Sequence, residues 1–151
     1  MRKILFINGP NLNLLGKRER DIYGNKNMGE IMSNVLCEAE KLGIHVEFMQ
    51  SNHEGEIIDV IHKAKDEYNV LIINAGAYTH YSIAIRDAIK AVELPVIEIH
   101  MSNIYAREDF RSKSVIAPVC IGQISGFGAD SYLIALYAAN RLVKEGEQWL
   151  C

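Results

Sequence analysis

In PVIEIH, residues 95–100, a glutamate and a histidine stand two apart within an apolar run. In a strand, Glu98 and His100 share one face while Ile97 and Ile99 take the other. A glutamate inside a buried strand is costly unless it is paired. A carboxylate beside an imidazole fixes its tautomer and supports its protonated form, which is what a general acid near neutral pH needs. The same pattern also fits a purely structural Glu–His pair. A second candidate lies in NGPNLNLLGKRERDIYG, residues 8–24, which carries Lys17, Arg18, Arg20 and Tyr23 and shows no helical period. Connections of that length in a compact domain are usually functional or disordered. Tyrosine, with an ordinary pKa of about 10, is a base only if neighbouring cations favour its phenolate. Arg18 and Arg107 are the candidates for that task. Lowering the value by about 3 units takes ~4 kcal/mol, which calls for a closed, dry site. A lid over residues 17–24, poorly ordered without ligand, would supply one. On spacing alone, Tyr23 as a packing residue among solvated arginines is the simpler reading.

Other chemistries fit poorly. GPNLNLLGKR has the wrong spacing for a phosphate loop, and Arg18 stands where Ser or Thr would hold magnesium. GQISGFG is not GxGxxG and precedes the last helix rather than the first. The five histidines show no metal-ligand spacing, so no metal is expected. A receiver-type domain would need acidic residues after strand one, where Asn8 and Gly9 stand.

The elements that must position these residues follow from periodicity. Strands are expected at Lys3–Asn8, His45–Gln50, Asn69–Asn74, Pro95–His100 and Val119–Ile121, and GQISGFGAD reads as a glycine-rich connection. Helices are expected at Met28–Leu42, Glu56–Lys65, Ile83–Val92 and Tyr132–Glu145, with Met101–Ser114 polar and partly helical. The strands are nearly continuous apolar runs, as when both faces are covered. Alternation with helices predicts a flavodoxin-like α/β fold: a doubly wound, five-stranded parallel sheet in three αβα layers. Ligands of such sheets bind beyond the carboxyl ends of the strands. There the chain places Asn8, Asn11, Arg18 and Tyr23; then Gln50 to Glu54; then Asn74, Thr79 and His80; then His100, Ser102, Asn103, Arg107 and Arg111.

The length of 151 residues predicts a single catalytic domain, 1–151. With 49% apolar and 23% charged residues the composition is that of an ordinary globular chain. A net charge of −3 gives no footprint for nucleic acid, and no apolar run is long enough for a membrane helix. Three scattered cysteines, Cys37, Cys120 and Cys151, suggest reduced thiols and a cytoplasmic location.

The segments INGPNLNLLGKRE with Tyr23, QSNHEGEIID, INAGAYTHYSIAIRDA, IEIHMSNIYAREDFR and APVCIGQISGFGADSY, in that order, closely resemble the type II 3-dehydroquinate dehydratases over nearly the whole chain. The resemblance implies trans-dehydration of 3-dehydroquinate to 3-dehydroshikimate in the shikimate pathway, with no cofactor, metal or imine. Tyr23 would take a proton from C2, Arg18 would stabilise the phenolate and hold the lid, and Asn11, with an ordered water, would stabilise the enolate. His100, oriented by Glu98, would protonate the departing C1 hydroxyl. Ser102 and the backbone N–H groups of Met101 and Ser102 would hold the carboxylate. Asn74, His80 and Arg111 would bind ring hydroxyls, and Arg107 would add positive potential near Tyr23. Asp87 would reach a neighbouring subunit's site, since the family assembles as trimers packed into a homododecamer. Tyr81 and Tyr105 are mild variations expected to lie outside the chemistry, and the EGEQWLC tail is expected on the surface or in an assembly contact. Another lyase or hydratase on a cyclic polyol acid, a carboxylate-binding module and a flavin-binding flavodoxin are the competing readings.

Overall fold

The computed structural model describes residues 1–145. The tail that follows, with Cys151, lies outside the described residues. β1 (Arg2–Asn8), β2 (Ile44–Gln50), β3 (Val70–Asn74), β4 (Val96–His100) and β5 (Gly122–Ser125) form one five-stranded sheet in the order β2-β1-β3-β4-β5. All four pairings are parallel. Helices α2 (Met28–Leu42) and α5 (Asp130–Glu145) cover one face, and α3 (Glu54–Ala64) and α4 (Ile83–Val92) the other. This is the flavodoxin-like, three-layer αβα architecture expected.

Alternation along the strands builds two cores. In β1, Ile4 and Phe6 join the α2/α5 layer, while Leu5 and Ile7 join the α3/α4 layer. Helix α2 starts at a reciprocal cap: Asn27 accepts from the Glu30 N–H at 2.9 Å, and the Glu30 carboxylate accepts from the Asn27 N–H at 3.3 Å. It stops at Gly43, whose φ of 65° is left-handed. Among the described residues no helix is long and apolar enough to cross a membrane.

The fifth strand departs from expectation. Residues 117–119 form a 3-10 turn carrying Pro118, and pairing with β4 runs through Gly122–Ser125, register Glu98↔Gln123 and His100↔Ser125. β5 is an edge strand exposed at Gly122 and half-buried after it, so its residues carry no continuous apolar run and read as a loop. The long connection after β1 also holds two short helical turns, Leu12–Leu14 and α1 (Arg20–Tyr23), that are too brief to show a period.

Candidate active site

The cleft forms where the strand order reverses, beside β1 and β3. Asn8 pairs in register with both Gln50 and Asn74, so the polar residues that end these strands stand level. The loops that follow pack closely: a Cβ on Gly9 would lie 2.5 Å from the Ala75 carbonyl oxygen, so only glycine fits there. Asn11 holds a left-handed φ of 68°, a conformation asparagine tolerates better than most residues. Its N–H donates to Asn52 Oδ1 at 3.0 Å. The resulting cleft, about 590 Å³ and open to solvent, is lined by Asn11, Arg18, Tyr23, Asn74, His80, His100, Met101, Ser102, Arg107 and Arg111. Ten expected site residues, from the three stretches at and after the ends of β1, β3 and β4, meet here.

Helix α1 carries Tyr23 to the cleft wall. Arg107 Nη1 donates to Tyr23 Oη at 2.9 Å, and its guanidinium carbon lies 5.5 Å from the ring centroid. Arg18 lies over the same ring at 5.3 Å, with Nη1 paired to Glu19 Oε2 at 2.7 Å. Of the two arginines expected near Tyr23, Arg107 is the one that touches the phenolic oxygen.

On the same wall as β4, His100 Nε2 donates to Glu98 Oε1 at 2.9 Å, which leaves Nδ1 to the cleft. Glu98 is completely buried and accepts further from Thr79 Oγ1 (3.2 Å), Ser114 Oγ (2.6 Å) and Gln123 Nε2 (2.7 Å). Burial pushes its carboxyl up, but the hydrogen bond and charge of His100, with Ser114 and Gln123, outweigh burial and leave it below the ordinary value. Tyr105 donates to Gln123 Oε1 at 2.7 Å, so it stands three hydrogen bonds behind His100 rather than outside the network. A carboxyl lowered in the folded state stabilises fully above its unfolded value, and that stability is lost as pH falls through the folded value. The stability gap between wild type and Glu98→Gln, measured by urea unfolding, is therefore expected to shrink as pH is lowered below the ordinary value of 4.5. A gap unchanged over that range would mean that Glu98 is not the charged partner.

The residues after β4 and the loop after β3 complete the cleft. The carbonyls of His100 and Met101 accept from Gly126 N–H (3.2 Å) and Gly128 N–H (2.8 Å). In a trans peptide the next N–H points the opposite way, so the Met101 and Ser102 N–H groups turn away from those glycines. His80 Nδ1 is 2.8 Å from the Lys113 carbonyl and its ring lies 6.5 Å from that of His100. Burial lowers its pKa, and the charges of His100 and Arg111 add to this, outweighing the Lys113 carbonyl and Glu98, which raise it. Arg111 is anchored to Glu108 at 3.0 Å.

Asp87 is exposed on α4 and does not line this cleft. Sequence reasoning missed Ser114, Gln123 and Tyr132. Ser114 and Gln123 sit in stretches without a pattern, and Tyr132 has the spacing of an ordinary core residue. Tyr132 Oη donates to Asn8 Oδ1 at 2.7 Å and accepts from Asn74 Nδ2 at 3.0 Å.

Comparison with known proteins bears on the family and the fold. The family model Dehydroquinase class II matches residues 2–140. The 3-dehydroquinate dehydratase of Caldicellulosiruptor saccharolyticus is 63% identical over 144 residues, 95% of this chain and 99% of the relative. That of Clostridium perfringens is 56% identical over 143 residues, 94% of this chain and 99% of the relative. The crystal structure of type II dehydroquinase from Butyrivibrio crossotus superposes with a TM-score of 0.90 at 50% identity, covering 92% of this chain and 97% of that one. A family model spanning almost every described residue, relatives matched end to end and a shared fold together place this chain in the class II dehydroquinases, a family of hydro-lyases.

Proposed function

We propose that the cleft dehydrates 3-dehydroquinate to 3-dehydroshikimate through an enolate, with Tyr23 as base and His100 as acid. The observation that carries this reading is one cleft lined by both a tyrosine held by a guanidinium and a histidine held by a buried carboxylate. Arg107 donates to the Tyr23 oxygen and Arg18 lies over its ring, so two guanidinium groups flank the proposed base. Tyr23 takes the C2 proton, and the C–H electron pair moves to the C3 carbonyl oxygen. Asn11 stabilises the charge that develops there. As the enolate collapses, the C1–C2 double bond forms and the C1–O bond breaks. His100 protonates the departing oxygen to give water. The proton taken by Tyr23 returns to His100 through solvent, so each turnover releases one enone and one water.

In the same reading, the Met101 and Ser102 N–H groups and the Ser102 hydroxyl bind the substrate carboxylate, and Asn74, His80 and Arg111 bind its ring hydroxyls. With its Nδ1–H given to the Lys113 carbonyl, neutral His80 presents Nε2 as an acceptor, which suits a hydroxyl donor. We propose further that the lid 17–24 closes over bound substrate. Asp87, away from its own cleft, then serves a neighbouring copy in a homododecamer of trimers. Large exposed apolar side chains around these elements, Tyr81, Ile83, Tyr105 and Phe110, support burial against other copies.

The test is ultraviolet absorbance on mixing chelator-treated protein with 3-dehydroquinate, on a preparation sized by light scattering. A rise from the conjugated enone that survives borohydride, on a particle of dodecameric mass, is expected. No rise from folded protein would overturn the reaction, and a monomeric active species would overturn the role of Asp87.

A further inference from the structure

Tyr132 is completely buried in the first turn of α5, its ring stacked on Phe6 at 5.9 Å. Its hydroxyl lies under the ends of β1 and β3 and joins Asn8 to Asn74. A phenol has one proton to give. That proton goes to Asn8 Oδ1, so the oxygen faces Asn74 only as an acceptor. Asn74 answers with Nδ2–H, while its Oδ1 accepts from the Gly76 N–H at 3.3 Å. Turning the Asn74 amide over would set Nδ2 against the Gly76 N–H, and Oδ1 against an oxygen whose proton is already committed. Asn8 is 1% exposed and outside the cleft lining, whereas Asn74 lines it.

We propose that Tyr132 is a positioning residue that locks the Asn74 amide, so that the second Nδ2 hydrogen and a lone pair of Oδ1 are presented in one fixed arrangement to a substrate ring hydroxyl. This rests on the reading of the cleft as the dehydroquinate site and assigns its hydroxyl selection to a residue that never touches substrate. Ser125 and Gln123 hold other parts of the cleft, but nothing else among the described hydrogen bonds orders Asn74 from the side of α5. The arrangement acts in binding rather than in proton transfer, because Asn74 is not among the groups that move a proton.

The test is steady-state kinetics of Tyr132→Phe, Asn74→Ala and the double variant, each shown to be folded by its melting curve. Tyr132→Phe keeps the stacked ring and removes only the hydroxyl. A KM raised about tenfold with kcat within about threefold is expected, since a lost hydrogen bond is worth roughly one decade. Asn74→Ala should show the same split, and the double variant should be no worse than Asn74→Ala. Wild-type KM in Tyr132→Phe beside a raised KM in Asn74→Ala overturns the positioning role and leaves the site reading intact. Full additivity in the double variant also overturns it. Unchanged KM in Asn74→Ala removes Asn74 from the site and takes both readings with it. Should Tyr132→Phe fail to fold, Asn8→Ala keeps Tyr132 but frees its proton to turn toward Asn74. The same KM rise is expected there, and wild-type KM overturns the proposal.

Discussion

Tyr23→Phe is expected to bind 3-dehydroquinate with near-normal affinity and to lose roughly 10²–10⁴ in kcat, the range for removing a positioned base. The substitution deletes one oxygen and keeps the ring that Arg18 and Arg107 flank at 5.3 and 5.5 Å, so the cleft wall keeps its shape. What disappears is the atom proposed as the base and the hydrogen bond that it accepts from Arg107. An interaction made only on the way to the transition state lowers kcat and kcat/KM together and leaves KM alone. Near-normal turnover would remove Tyr23 from the base role. A raised KM with unchanged kcat would make it a binding residue instead.

Substitution at His100 is expected to separate chemistry from stability. His100→Gln retains an N–H that can reach Glu98 but has no proton of useful acidity. It should lose roughly 10²–10⁴ in kcat but less stability than His100→Ala, since it still offers Glu98 a hydrogen-bond donor though no charge. His100→Ala should lose the same activity and also about 3–5 kcal/mol of stability at pH 7, because Glu98 is left buried without its charge partner. The stability deficit should narrow in acid, where Glu98 protonates and no longer needs that partner. Single-turnover assays with urea unfolding at two pH values decide the matter. Equal stability of the two variants at pH 7 would mean that Ser114, Thr79 and Gln123 alone satisfy the carboxylate, and His100 would then be free of a structural role.

The fold was legible in the sequence to the extent that burial forces composition. β1, β3 and β4 are covered on both faces and are apolar along most of their length, so their runs announce themselves; every residue of β3 and β4 is buried. Helices α2 and α4 were legible to the residue, because each repeats a buried face and starts at a side-chain cap. β5 obeys neither rule. At the sheet edge it needs only partner hydrogen bonds on one side, and glycine and glutamine serve there as well as valine.

The candidate site divides along the same line. Its members were legible because polar residues that end buried strands have one place to go, the carboxyl edge of the sheet. Glu98 and His100 were legible even as a pair, since a two-residue spacing places both on one strand face whatever the rest of the chain does. Partnerships across the chain were not. Tyr23 meets Arg107 across 84 residues, and Tyr132 meets Asn8 across 124 and Asn74 across 58. No local period encodes such pairs. They depend on strand order, on register and on the turn that α5 makes over the sheet, and those are properties of the packed molecule. The sequence by itself determined most of the chemical groups that reach the cleft, although Gln50 to Glu54, expected with them after β2, do not line it. Only the tertiary structure decided which arginine holds the tyrosine, what surrounds the buried glutamate, and which hydroxyl joins Asn8 to Asn74.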